Sequence, residues 1–154
     1  MNYWLLKSEP STFSIDDLAA KPKCTTAWDG VRNYQARNML RDSIKKGDSA
    51  FFYHSSCDVP GIAGIVTVVK EGYPDETALD PKHHHYDADS RATDPRWYVI
   101  DVKLTRKFAN VITLDTLKKH AGKALADMIL LRRGNRLSVM PVSKKEWDFI
   151  LELE

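Results

Sequence analysis

With 154 residues, 43% of them hydrophobic and 29% charged, the chain has the composition of one ordinary folded domain spanning 1–154. No apolar run reaches the ~20 residues that cross a bilayer, and two cysteines, Cys24 and Cys57, are too few for a disulfide framework. A formal net charge of +2 permits nucleic-acid binding but falls short of the basic excess of a protein that grips a long duplex.

The start of the chain lacks a basic leader, a long apolar run and a small-residue cleavage site, so an intracellular, cytoplasmic protein is expected. Tyr3-Trp4-Leu5-Leu6 is apolar on both parities and reads as a buried strand, ended by Lys7-Ser8-Glu9-Pro10. Ser14 with Asp17 predicts a capped short helix through Ala20, broken by Lys21-Pro22-Lys23. Asp29-Gly30 is a turn dipeptide, because Gly accepts positive φ and Asp bonds the backbone two residues on. A helix is expected after it to about Ile44, where Lys45-Lys46-Gly47 places cations and then Gly at a helix end. That helix has no acid before Asp42 and is crowded with amide, phenol and guanidinium groups.

Ser49 to His54 and Ile62 to Val69 are β-branched or aromatic and nearly continuous, as in strands covered on both faces. Glu71 to Pro95 is one long excursion without periodicity, the kind of segment that serves as a lid or stays disordered. Trp97 to Leu104 alternates as a strand. Thr113 to His120 reads as a capped helix and Leu125 to Leu131 as a further short helix. Leu137 to Val142 reads as a last strand, and Ser143 with Glu146 forms a capping box for a terminal helix carrying Trp147, Ile150 and Leu151. Strands with short helices between and around them predict an α+β domain with a curved or barrel-like mixed sheet.

No phosphate loop, dinucleotide fingerprint, nucleophile elbow or zinc motif is present, so no cofactor and no metal are expected. His83-His84-His85 reads as a solvated loop, because neighbours on an extended chain point to opposite faces. His54 lies near Cys57 without an orienting group, a weak signal for a nucleophile. A hydrolase or deaminase acting on modified nucleosides is one alternative that this pair keeps open. A small-molecule or partner-binding module is another.

Polar residues instead gather beside aromatics at the predicted strand ends: Lys7, Ser8 and Glu9; Trp28, Asp29, Asn33 and Asn38; Tyr53, His54 and Ser55; Trp97. A sheet that closes on itself would bring these ends to one mouth. Hydroxyls and amides there could read a base edge while an indole stacks on the ring. Trp28 admits two readings, a stacking plate or a core residue with polar neighbours that pin the turn.

Several motifs, taken in order, resemble the EVE domain family over essentially the whole chain. They are Trp4 to Pro10, Trp28 to Asn38, Gly47-Asp48 with Phe52 to Ser55, Pro60 to Gly64, Pro95 to Val99 and Ser138 to Val142. The resemblance implies a PUA-like mixed β pseudo-barrel flanked by short helices, kin to YTH and ASCH domains. It also implies recognition of modified bases, with modified cytosine in DNA favoured. Compared with YTH, a Lys-Ser strand end falls on Lys7-Ser8, the next base-contacting position on Glu9, and the first cage tryptophan on Trp28. Asp29 stands where YTH has serine. Carboxylates accept hydrogen bonds, so Glu9 and Asp29 favour a base with an exocyclic amino group. YTH's second cage tryptophan belongs to the excursion, where this chain offers Tyr73 and Tyr86.

The expectation is a non-enzymatic reader that takes one base of DNA or RNA, single-stranded or flipped out. Trp28 stacks, Ser8, Asn33 and Ser55 bond base or sugar, and Glu9 and Asp29 meet amino hydrogens. Tyr34, Asn38, Tyr53 and Trp97 complete the base site. Lys7 and Arg32 lie near phosphate, with Arg132, Arg133 and Arg136 as a peripheral electrostatic grip.

Overall fold

The computed structural model describes residues 1–154. Its strands are β1 (Tyr3–Ser8), β2 (Thr25–Ala27), β3 (Ser49–His54), β4 (Gly61–Pro74), β5 (Tyr98–Thr113) and β6 (Val139–Val142). They form one mixed sheet in the order β2-β5-β4-β3-β1-β6. β1 runs parallel to β3, with Leu5 opposite Phe51, and antiparallel to β6, with Leu5 opposite Met140. The apolar character of β1 and β3 on both parities follows from burial on both faces. Trp4, Leu6 and Phe52 join one core with Val66 and Ile100, while Leu5 and Phe51 join a second with Ile65 and Trp147. The α+β class is as expected.

Four short helices cover the sheet: α1 (Ile15–Ala19), α2 (Tyr34–Asn38), α3 (Leu114–Lys118) and α4 (Lys144–Glu152). Both expected capping boxes form. Ser14 Oγ accepts from the Asp17 N–H at 3.1 Å while the Ser14 N–H donates to Asp17 Oδ2 at 2.8 Å. Ser143 and Glu146 make the same reciprocal pair at 3.2 and 2.9 Å. The second core is sealed by Trp147, whose ring stacks on Phe51 at 3.9 Å between centroids. Asp48 is a buried staple that accepts from Trp4 Nε1 and from the backbone N–H groups of Asn2 and Lys45.

Three expectations need correction. The helix expected from the Gly30 turn to Ile44 stops as α-helix at Asn38 and continues as a π-helical turn, Met39–Ser43. Packing explains the change: β4 crosses so closely at Gly72 that a Cβ there would stand 2.4 Å from the Leu40 carbonyl oxygen. β4 and β5 are also far longer than Ile62–Val69 and Trp97–Leu104. The added end of β4 is polar, the added half of β5 buries only Phe108 and Ile112, four residues apart, and the pairing is bulged, so no apolar alternation announces it. Finally, Leu125 to Leu131 is a chain of turns with a 3₁₀ turn only at Ile129–Leu131. Leu125, Met128 and Leu130 each drop into the second core, at a spacing no single helix face provides. The edge strand β2 was not anticipated; it pairs with β5 from Thr25 opposite Lys103 to Ala27 opposite Asp101.

Candidate nucleic-acid interface

Beyond the end of β1 the sheet opens into a cavity of about 420 Å³, within the range of roughly 300 to 1,000 Å³ typical of small-ligand sites. Lys7 and Ser8 reach it from β1, and the Trp28-to-Arg32 turn forms a second wall. His83, His84 and His85 form a third, and Phe13, Lys21 and Ser138 are among the other lining residues. Strand continuity explains the first wall. The second exists because Gly30 sits at φ +73°, a conformation that costs glycine nothing.

Trp28 is packed as the core reading expects. Its indole is only 7% exposed and packs edge-on against Phe52, with centroids 5.4 Å apart. It is therefore a core residue, and the same residue borders the cavity. Ser8 donates its hydroxyl to the Phe13 carbonyl, so its remaining lone pairs can only accept. Asp29 is exposed at the rim. The lining thus presents hydrogen-bond acceptors beside an aromatic wall. Burial lowers the pKa of Lys7, whose ammonium lies 5.9 Å from the Tyr53 ring centroid.

The third wall depends on Asp75, 2% exposed and 45 residues from Gly30 in sequence. Its Oδ2 accepts from the Gly30 N–H and from Arg32 Nη1, each at 3.0 Å. Its Oδ1 accepts from the Thr77 N–H at 2.9 Å and from the Thr77 hydroxyl. Burial alone pushes this carboxyl up, but the bonds from Thr77, Gly30 and Arg32 together bring it below the ordinary carboxylate value. Arg32 then reaches on to the His85 carbonyl at 2.7 Å and lies 5.3 Å from the Trp97 ring centroid. The far end of the excursion is pinned too. Trp97 Nε1 donates to Asp87, and Arg37 donates to the Arg96 carbonyl. The 71–95 segment is a folded wall rather than a loose lid.

The sequence-derived residues divide accordingly. Lys7, Ser8, Trp28, Asp29 and Arg32 line the cavity. Glu9 does not: it is exposed, and its carbonyl closes the turn to Thr12 and Phe13. Asn33 is the N-cap of α2, accepting from the Ala36 N–H at 2.9 Å, and Asn38 accepts from Arg37 Nε. Tyr34 is exposed and stacks on the buried Trp97 at 5.0 Å, outside the lining. Tyr53 is buried in the second core, and Ser55 uses its N–H to bond the Ser8 carbonyl from behind. Arg132 lines a separate groove with Lys123 and Phe149, and Arg133 and Arg136 are exposed away from the cavity.

The histidines are the residues that sequence reasoning misplaced. They lie in turns, with the His83 N–H donating to the Asp80 carbonyl and the Tyr86 N–H to the His83 carbonyl, so their rings gather instead of alternating. His83 and His85 are half-buried, and a Cβ on Gly30 would stand 2.6 Å from the His85 ring. The aromatic contribution of the excursion therefore comes from imidazoles. Tyr73 instead donates to Asp101, and Tyr86 is 45% exposed.

His54 is engaged as an acceptor. Its Nε2 accepts the Ile15 N–H at 3.1 Å, satisfying the first free donor of α1. The lone pair that a neighbouring thiol would need is occupied. Burial lowers the His54 pKa, as does Lys107, while Asp16 opposes them. With the folded value below the unfolded 6.5, the unfolded chain takes up the proton first. Stability is accordingly expected in full above pH 6.5 and to decline as the pH falls through the folded value. Urea midpoints measured across that window should show a shallower decline for His54→Gln than for the wild type. An identical slope would remove His54 as the cause.

The EVE domain profile matches residues 2–153. The chain belongs to the EVE domain family. Mouse thymocyte nuclear protein 1 is 49% identical over 168 residues, covering 99% of this chain and 74% of that protein. Human THYN1, whose crystal structure is in complex with DNA containing 5-methylcytosine, superposes with a TM-score of 0.94. It is 46% identical, with 99% of this chain and 97% of that one covered. A Pseudomonas putida protein of known crystal structure superposes at 0.92 with 48% identity and 98% of each chain covered. The mixed sheet with short flanking helices is thus the PUA-like EVE architecture. No helix of this EVE chain is long and apolar enough to cross a membrane.

Proposed function

We propose that this EVE domain, as one unit over 1–154, binds DNA carrying a modified base and holds that base, a modified cytosine, in the cavity between β1, the Trp28 turn and the histidine wall. One observation carries the reading: the protein whose structure is in complex with 5-methylcytosine DNA shares this fold at a TM-score of 0.94. The chemistry of the lining agrees. Asp29 and Ser8 offer acceptors, which suit the exocyclic amino hydrogens of cytosine or adenine. The amino preference rests on Asp29, since Glu9 faces elsewhere. A base inside this enclosure must leave its stack, so the nucleotide enters single-stranded or flipped out.

Lys7 and Lys21 line the cavity and would meet phosphate there. Arg32 does not take that role. Its guanidinium already serves Asp75, the Val31 and His85 carbonyls and the Trp97 face, so it holds the walls together. The domain works as a binding module without turnover. The acceptor role of His54 supports that assignment.

Fluorescence anisotropy with paired oligonucleotides, cytosine against 5-methylcytosine and DNA against RNA, tests the reading. Wild type should bind the methylated DNA more tightly. A hydrogen bond to a charged acceptor contributes about 1.5 to 3 kcal/mol, so Asp29→Asn should weaken binding roughly tenfold to a hundredfold. Equal affinity for both cytosines, with Asp29→Asn indistinguishable from wild type, would refute the assignment. Tighter binding of the RNA series would transfer it to RNA.

A further inference from the structure

We propose that His83, His84 and His85 form a binding site for a divalent transition-metal ion of the zinc type at the lip of the cavity. The three residues each offer a ring nitrogen, and these donor atoms lie within 4.8 Å of one another. Around a tetrahedral ion with metal–nitrogen bonds of about 2.1 Å, neighbouring donors stand about 3.4 Å apart. Rotation of the His83 and His84 rings toward His85 closes that difference, His83 being half-buried and His84 exposed. The reason for expecting consecutive histidines to diverge does not apply here, because the backbone turns at His83 instead of extending.

A second observation points to a ligand independently of the clustering. The Thr77 hydroxyl gives its proton to Asp75, so toward the His85 ring, 3.3 Å away at Nδ1, its oxygen can act only as an acceptor. His85 must then carry its proton on Nδ1 and present the Nε2 lone pair. A buried carboxylate acting through a hydroxyl on one imidazole nitrogen is the support that metal-binding histidines ordinarily have, since it fixes tautomer and ring direction. Thr77 and Asp75 are positioning residues in this scheme. His83 uses Nδ1 to accept from the His85 N–H at 3.0 Å, and coordination takes over that lone pair. Asp29 lines the same cavity as the three histidines, and the nearby Arg32 cation is already paired with Asp75.

The donor set decides the class of ion. Three imidazoles suit zinc, nickel, copper or cobalt, whereas magnesium and calcium take sets made mainly of oxygen donors. Zn2+ is the expected resident. Its binding is a property of the free protein and is read without nucleic acid, so its failure leaves the base-reading proposal untouched.

The test uses the full chain without an affinity tag. Titration calorimetry with Zn2+ should give one ion per chain, and Co2+ should develop the visible bands of a nitrogen-coordinated site. His84→Ala, at an exposed position, should weaken Zn2+ at least tenfold. Thr77→Val should weaken it about tenfold, in the range usual for lost support behind a ligand. His120→Ala, against Phe149 and away from the cluster, should bind as wild type. Absence of Zn2+ binding by the wild type would overturn the site, as would His84→Ala and Thr77→Val both matching it. Loss of binding in His120→Ala alone would place the metal elsewhere and overturn it equally.

Discussion

Asp75→Ala is expected to destabilise the protein by about 3 to 5 kcal/mol, the range for removing one partner of a buried ion pair. The carboxylate has acceptor capacity for about four hydrogen bonds, and here four donors fill it: Gly30 N–H, Arg32, Thr77 N–H and the Thr77 hydroxyl. Truncation strands all four at once, and the Arg32 side chain is only 26% exposed. For a chain of this size the melting temperature should fall by roughly 6 to 20 °C at about 2 to 4 °C per kcal/mol. Asp75→Asn should be milder, because an amide oxygen still serves one side while its NH2 opposes existing donors. The native contribution also has a pH signature. With the folded pKa below the ordinary 3.8, it is present above that value and lost as the pH falls through the folded one. A melting temperature for Asp75→Ala within a few degrees of wild type would show that the excursion is held some other way.

Trp28→Ala should carry a double penalty. Truncating a buried tryptophan typically costs about 3 to 5 kcal/mol, and this indole packs edge-on against Phe52 in the first core. The lower end of that range is expected because the residue borders a cavity that water can enter from the rim. Binding should fall as well, by roughly tenfold to a hundredfold if one base loses its aromatic wall. Trp28→Phe separates the two effects: a ring remains against Phe52, so stability should recover more than affinity. Denaturant midpoints and anisotropy on the same two variants decide the matter. A folded Trp28→Ala that binds methylated DNA as tightly as wild type would remove the base from this cavity.

The chain's own order of residues determined the features whose causes are local. Both capping boxes, the positive-φ turn at Gly30 and the two-faced character of β1 and β3 follow from chemistry within four residues or from simple alternation. Lys7 and Ser8 were legible as cavity residues because the first strand ends there, and Trp28 and Asp29 because they lead into the Gly30 turn. Tertiary structure alone decided the rest. Arg32 is drawn into the walls by a carboxylate 43 residues away, and Ser55 is turned behind Ser8. The histidine triplet meets the Trp28 turn because Asp75 ties the two together. Such contacts leave no period in the sequence: a donor and acceptor dozens of residues apart meet only when the sheet has placed their backbones, and that placement depends on every strand at once.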